Sequence, residues 1–325
     1  FDDEITLYLN VILNKKFNQD LEENRLEQHI NFGNLELLAN QIVEGFITGL
    51  HKSPFHGFSV EFAEHRLYND GDPIKNIDWK LFARTDKLFV KRFEEETNLR
   101  CQLLIDNSSS MFLPEKGLNK FQFSALASAA IINLLKRQRD AFGLSLFAKN
   151  LTFHSQSKST TAHQKFIINK LNQEFFQKNS KGLQTDIVKN LHLIAEQIHK
   201  RSLVVIFTDF FENTTNDGLD PIFSALQHLK YLKNEVIIFN VLQEKHELNF
   251  DFENRPYHFV DIETEEFVKL NPVQYQKAYQ EKIKLFKKDL DNKCAQLKID
   301  LIDVAIEDGF ETVLNAWLIK KNRMS

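Results

Sequence analysis

The sequence predicts an α/β protein whose main domain is a doubly wound, mostly parallel sheet with one antiparallel edge strand. From residue 101 onward, short apolar runs alternate with longer amphipathic segments, and this alternation is typical of strands joined by helices. Two of the runs, 142–147 and 150–154, are separated by Ala148 and Lys149 alone, so their connection must be a hairpin. The other connections are long enough for helical crossovers between parallel strands.

The elements of this domain follow from the position and period of its apolar residues. The apolar runs predict strands at 101–106, 142–147, 150–154, 202–208, 235–241 and 299–304. Spacings of three and four residues predict helices near 118–139, 162–173, 185–200, 217–232, 272–296 and 309–320. An extra stretch at about 242–271 contains two short apolar runs around an acidic turn, 257–261 and 267–270. We expect a small hairpin insertion there.

The chain ahead of this domain has a different pattern of apolar and polar residues. Residues 1–34 are polar with loosely spaced apolar positions, which predicts a weakly docked helical extension. Leu35 to Leu50 follow the period of an amphipathic helix. Residues 55–99 alternate in short aromatic runs, and we expect strands of a small β module at 58–62, 77–80 and 87–93. We therefore divide the chain into the extension at 1–34, a helix with a β module at 35–100, and an α/β domain at 101–325.

Composition and charge argue against several classes of partner. The 41 basic and 45 acidic residues give a net charge of −4, so no overall basic field is available to hold nucleic acid or an anionic membrane. Cys101 and Cys294 form no CxxC pair, which favours a reduced compartment. No apolar run approaches the roughly 18 to 20 residues of a membrane span. We expect a cytoplasmic protein with no nucleic-acid partner and no membrane insertion.

Hard oxygen groups follow the first strand of the α/β domain. Asp106 ends this strand, and Ser108 and Ser110 come directly after it. Ligands bind at the carboxyl ends of strands in open α/β sheets, and such oxygens suit Mg²⁺ or Mn²⁺ better than zinc or copper. The alternative is that Asp106 only ends the strand and the serines cap the next helix.

Two further segments supply ligands of the same kind. Asp209 follows the apolar strand 202–208. Thr185 is the first residue of the helix predicted at 185–200. Because the loops of a doubly wound sheet can converge on one edge, these side chains can meet the first group at one point. The sequence therefore predicts a Mg²⁺ site, with Mn²⁺ as a possible substitute, held by Asp106, Ser108, Ser110, Thr185 and Asp209. One coordination position would stay open.

The D-x-S-x-S, T and D arrangement of these five residues resembles the metal-ion-dependent adhesion site of von Willebrand factor A domains. The resemblance implies that an acidic side chain of a protein partner fills the open metal position and that no reaction is catalysed. The expected role is that of a non-enzymatic interaction module. A competing hypothesis is Mg²⁺-dependent phosphoryl or ester hydrolysis by the same cluster, and a third treats the metal motif as a vestige in a structural scaffold.

The amino-terminal module carries a second resemblance, to the bacterial "domain of unknown function 58" family, through Glu61-Phe62, Arg66, Tyr68, Gly71-Asp72, Ile77-Asp78-Trp79, Ala83-Arg84-Thr85, Leu88 and Glu94-Glu95-Glu96. This resemblance covers roughly residues 35–320. It implies a partnership with a MoxR-type AAA+ ATPase in the maturation or remodelling of other proteins.

Charged residues beside aromatics in this module need partners if they are buried. We hypothesise that five of them join the β module to the α/β domain: Arg66, Asp72, Asp78, Trp79 and Arg84. The ordinary alternative is a solvated face with local ion pairs. The chain has no GxxxxGK[ST] loop, no GxGxxG after a strand and no GxSxG elbow, so we predict no nucleotide site and no catalytic residues.

Overall fold

The computed structural model describes residues 35–52, 65–67, 79–91, 99–176, 186–210, 219–260 and 267–324. The chain divides into two compact units. The larger unit contains Leu99–Ser325 and the chain up to Glu44, and the smaller unit is Gly45–Asn98. The extension predicted at 1–34 lies outside the described residues.

The first described helix, α1 (Leu35–Lys52), agrees with the predicted amphipathic helix. Leu35 and Leu38 on its apolar face are buried. The backbone N–H of Leu35 donates to Asn172 Oδ1 at 3.3 Å, so the start of the helix packs within the larger unit. The division between the compact units falls inside α1, after Glu44.

In the smaller unit, β1 (His65–Leu67) and β2 (Phe89–Lys91) pair antiparallel. The helix α2 (Trp79–Thr85) lies between them in the chain. The strand predicted at 77–80 is wrong in its described part, because Trp79 and Lys80 begin this helix. An alternation of only four residues also fits one turn of a helix, so the period did not decide between the two structures. The strand predicted at 58–62 lies outside the described residues.

The larger unit is organised around a mixed sheet. The described strands of this unit are β3 (Arg100–Asp106), β4 (Ala141–Phe147), β5 (Leu151–His154), β6 (Leu203–Thr208), β7 (Glu235–Leu242), β8 (Tyr257–Val260), β9 (Phe267–Leu270) and β10 (Asp300–Ala305). Six of them form one sheet in the order β10, β7, β6, β3, β4, β5. Only the pair of β4 and β5 is antiparallel within it. This confirms the predicted fold class, and β8 pairs with β9 antiparallel in the predicted insertion.

The described helices of this unit lie close to their predicted positions and cover the sheet: α3 (Lys120–Arg137), α4 (Thr161–Phe175), α5 (Ile187–Gln197), α6 (Asp220–Tyr231), α7 (Pro272–Gln296) and α8 (Glu311–Asn322). Buried residues of α5, α6 and α7 form one core with alternate residues of β3, β6 and β7, such as Leu104 and Ile206. Because successive strand residues point to opposite faces, the intervening buried residues pack against α3 and α8 on the other face, where Phe123 stacks on Phe310.

The strand order places two predicted site residues at one crevice. The chain adds β4 on one side of β3 and later returns to add β6 on the other side. At such a reversal the loops after the two central strands leave in opposite directions and open a crevice at their carboxyl ends. Asp106 ends β3 and Asp209 follows β6, so both carboxylates lie at this crevice.

Within the described ranges, no helix combines the length and the apolar character needed to cross a bilayer.

Cys101 and Cys294 are buried free thiols, as expected for core residues. Burial raises the pKa of both thiols to about 12, so they stay protonated and unreactive near neutral pH.

Gly143 on β4 provides a test of the sheet packing. A Cβ at this position would lie 2.3 Å from Gln102 Oε1 and 2.6 Å from the carbonyl oxygen of Ser155. Because a backbone oxygen cannot move aside as a side chain can, we expect Gly143→Ala to lower the free energy of unfolding by about 1–3 kcal/mol. Urea unfolding followed by circular dichroism measures this change.

The matched control is Gly45→Ala in α1, where an added Cβ meets nothing within 4 Å. A helix gains about 0.5–1 kcal/mol when alanine replaces an interior glycine, so this variant should be unchanged or slightly more stable. Equal stability of the two variants would contradict the packing described for β4.

Candidate metal centre

Asp106 joins the ends of the two central strands. Its side chain is 1% exposed. Its Oδ1 accepts the backbone N–H of Ser108 at 3.0 Å, and its Oδ2 accepts the hydroxyl of Thr208 at 2.8 Å. Since Asp106 ends β3 and Thr208 ends β6, these bonds hold the loops after both strands in a fixed relation.

The two predicted serine ligands lie next to each other and reach the second carboxylate. Ser108 Oγ and Ser110 Oγ are 3.2 Å apart, and the Ser110 hydroxyl donates to Asp209 Oδ1 at 3.1 Å. A 3₁₀ turn, Ser110–Phe112, begins at the second serine and keeps both hydroxyls near the crevice. The structure thus brings four of the five predicted ligands together.

The serines are not the cap of the next helix. Asn119 caps α3, since its side chain accepts the N–H of Gln122 at 2.8 Å and the Gln122 side chain accepts the N–H of Asn119 at 3.2 Å. This reciprocal pair is a capping box. The alternative that Ser108 and Ser110 serve only as helix caps is therefore wrong.

The fifth predicted ligand, Thr185, lies outside the described residues, and its role stays a prediction. The residue after it, Asp186, is described and lies at the start of α5. Asp186 caps α5 by accepting the N–H of Lys189 at 3.0 Å, and its own N–H donates to the carbonyl of Ala148 at 3.1 Å. The start of α5 is therefore fixed beside the end of β4, which neighbours β3.

A buried lysine that the sequence analysis missed lies beside this cluster. Lys120, the first residue of α3, is 1% exposed. Its ammonium donates to Asp209 Oδ2 and to Glu247 Oε1, the latter at 2.6 Å. Glu247 belongs to a short π-helical segment after β7, Glu244–Leu248. A signal for Lys120 did exist, because the positive end of a helix dipole disfavours a cation in the first turn.

The electrostatics of the cluster follow from burial and from like charge. Burial, together with the negative charge of Asp209, raises the pKa of Asp106 to about 7, and hydrogen bonds from Ser108 and Thr208 partly oppose this rise. Burial alone would lower the pKa of Lys120, but the carboxylates of Asp209 and Glu247 outweigh it and raise that pKa above the ordinary value. Lys120 is therefore a permanent cation next to the crevice.

The donor set of the cluster fits a hard divalent cation. Around an octahedral ion with metal–oxygen distances of about 2.1 Å, neighbouring ligand oxygens lie about 3.0 Å apart. The spacings of 3.2 Å between the serine hydroxyls and 3.1 Å from Ser110 to Asp209 are close to that value. In the part of the chain that is described, no three His, Cys, Asp or Glu side chains gather as a metal cluster. Hydroxyl groups and water would therefore supply most of the ligands.

The residues predicted to join the β module to the α/β domain are only partly described. Trp79 is 57% exposed and lies edge-on to Phe82, with ring centroids 6.2 Å apart. Arg84 is also exposed, and Arg66 lies on β1. Asp72 and Asp78 lie outside the described residues. A joining role for this set stays a prediction.

Comparison with known proteins gives a family match and distant similarities. The sequence model of a family described as "Protein of unknown function DUF58" matches residues 64–287. The uncharacterized protein Rv1480 of Mycobacterium tuberculosis is 24% identical over 54% of this chain and 55% of that protein. The chain thus spans about half the length of this curated relative.

Two solved structures show weaker similarity. An aerotolerance-related membrane protein from Bacteroides fragilis aligns with a TM-score of 0.45 and 13% identity, over 69% of this chain and 99% of that chain. The SpRpn10 VWA domain aligns with a TM-score of 0.37 and 12% identity, over 64% of this chain and 88% of that chain.

The hydroxyl of Thr208 provides a test of the cluster. Thr208→Val keeps the shape of the side chain but removes the donor to Asp106 Oδ2, which lies 2.8 Å away. Removing one donor from a buried carboxylate costs about 1–3 kcal/mol, and we expect that loss in the free energy of unfolding measured in urea.

The control is Thr152→Val, since the Thr152 hydroxyl donates to the carbonyl of Leu146 at 2.9 Å from an exposed residue of β5. The net value of such a bond is about 0.5–1.5 kcal/mol. A Thr208 variant no less stable than this control would contradict the structural role assigned to the Thr208 hydroxyl.

Proposed function

The chain belongs to the DUF58 family of proteins of unknown function, and we propose that its α/β unit is a non-enzymatic, divalent-metal-dependent protein-interaction module. The observation that supports this proposal best is the contact of the Ser108 and Ser110 hydroxyls with each other and with Asp209. These oxygens meet at the reversal of strand order, where open α/β sheets bind their ligands.

The residues of the cluster divide into ligands and supports. Ser108, Ser110 and the carboxylates of Asp106 and Asp209 would hold Mg²⁺ or Mn²⁺, with Thr185 as a further ligand. When bound, the ion offers an open coordination position at which a carboxylate oxygen can bind. Thr208 orients Asp106 through its hydroxyl, so that the carboxylate faces the loop that carries both serines.

The partner we propose is a protein that inserts an acidic side chain at the open metal position. The support for this step is the resemblance of the D-x-S-x-S, T and D residues to a metal-ion-dependent adhesion site. The resemblance of the amino-terminal module to its family further suggests a MoxR-type AAA+ ATPase as the protein that acts with this chain. We propose a role in protein maturation or complex assembly.

A non-enzymatic role agrees with the groups around the cluster. Hydrolysis at a metal needs a general base or a cationic clamp within reach of the substrate. The cation beside Asp209 is Lys120, and two carboxylates already accept hydrogen bonds from its buried ammonium. It is therefore poorly placed to bind a phosphoryl group.

The test compares Mg²⁺ and partner binding by the native chain and by a Ser108→Ala/Ser110→Ala double variant. Calorimetry should show Mg²⁺ binding that is weakened by about 10–100-fold or more in the double variant, since at least that factor follows loss of a metal's supporting groups. A pull-down with a purified MoxR-type ATPase should lose its partner in EDTA and in the double variant.

The matched control is Ser128→Ala, which removes a buried hydroxyl on α3 that has no hydrogen-bond partner among the described residues and should leave both measurements unchanged. Partner binding that survives both EDTA and the double substitution would contradict the proposal. Mg²⁺-dependent turnover of a phosphoester, lost in Asp106→Ala, would instead support the hydrolase alternative.

A further inference from the structure

Lys120 is fixed in place more firmly than a surface lysine. The capping box of Asn119 and Gln122 begins α3, and the backbone N–H of Lys120 donates to the carbonyl of Leu113 at 3.0 Å. Its side chain is 1% exposed, although lysine is almost never fully buried without a partner. The ammonium therefore stays within reach of the carboxylates that face it.

Asp209 is shared between this ammonium and the candidate metal ligands. One carboxylate oxygen, Oδ1, accepts the hydroxyl of Ser110, and the other, Oδ2, accepts from Lys120. A divalent ion held by the serines would lie on the Oδ1 side of the same carboxylate. The ion and the ammonium would then repel each other across a buried, poorly screened space.

Glu247 offers the ammonium a second carboxylate. Its Oε1 accepts from Lys120 at 2.6 Å, and its Oε2 accepts the backbone N–H of Gln243 at 2.7 Å. The carbonyl of Glu247 accepts the hydroxyl of Tyr279 at 2.8 Å. The Tyr279 ring stacks on Phe250, with centroids 4.3 Å apart. Lys120 thus connects the candidate metal ligands to the segment after β7 and to α7.

We infer that Lys120 sets the metal affinity of the candidate centre by competing with the divalent ion for Asp209, and that Glu247 alone pairs with its ammonium when the ion is bound. The inference rests on the proposed function, since it needs a metal at Ser108, Ser110 and Asp209. It adds a built-in competitor to that function and links occupancy of the centre to the Glu244–Leu248 segment.

The first test is a Mg²⁺ titration of three variants of the whole 325-residue chain by calorimetry. Lys120→Met removes the competing charge, so Mg²⁺ affinity should rise by about tenfold or more. Glu247→Gln removes the alternative partner and commits the ammonium to Asp209, so affinity should fall. Lys170→Met is the matched control, because Lys170 pairs with Glu174 on α4, and it should bind as the native chain does.

The second test is hydrogen exchange of the native chain with and without Mg²⁺. The amides of Glu247, Asn249 and Asp251 donate to the carbonyls of Gln243, Glu244 and Lys245. Their exchange therefore reports on the order of the Glu244–Leu248 segment and the residues beside it. These amides should exchange more slowly with Mg²⁺, when Lys120 pairs with Glu247 alone and no longer shares its ammonium with Asp209, and this effect should vanish in Lys120→Met. This measurement and the Glu247→Gln titration decide the question even if Lys120→Met fails to fold.

The outcomes separate the two claims. A native chain that does not bind Mg²⁺ would overturn the proposed function itself. Native binding with affinity unchanged or lowered in Lys120→Met, or unchanged or raised in Glu247→Gln, would overturn only the competition inferred for Lys120. If Mg²⁺ does not change the exchange rates of the Glu247, Asn249 and Asp251 amides in the native chain, the link to the Glu244–Leu248 segment is overturned.

Discussion

Two carboxylates and an ammonium group are buried together where β3 and β6 end. Asp106, Asp209 and Lys120 are each about 1% exposed, and a buried charge is costly unless it is paired and hydrogen-bonded. The N–H of Ser108 and the hydroxyls of Ser110 and Thr208 donate to the two carboxylates, and the ammonium of Lys120 donates to Asp209 and Glu247. The shape of both loops depends on these donors, because without them the chain could not keep the charges inside.

The sheet and helices of the larger unit were predictable because their patterns are long. Strands such as β6 and β7 are nearly continuous apolar runs, as expected for strands covered on both faces, and the helices extend over several turns. The short module was less predictable. At Trp79 and Lys80, where α2 begins, a few alternating residues fit a strand and a helix equally well. The flanking sequence did not favour the helix over the strand.

The candidate centre was predictable where the chemistry is local and unpredictable where it is not. Asp106, Ser108 and Ser110 lie within five consecutive positions, and Asp209 directly follows β6 of the same sheet, so their meeting follows from topology. Lys120 and Glu247 are 127 positions apart, and neither belongs to a recognisable motif. Their contact depends on the packing of the segment after β7 against the start of α3, which no local pattern encodes.

The far edge of the sheet extends beyond the region that defines the family. The match to the family ends at residue 287, within α7, yet β10 still pairs with β7. The fully buried Trp317 and the ion pairs of Lys320 with Asp300 and Glu235 hold α8 in the same unit. A fragment trimmed to the matched residues would expose β7, an almost wholly apolar strand, as a bare edge. Such an edge recruits strands from other molecules, so we expect the last strand and helix to limit aggregation of this chain.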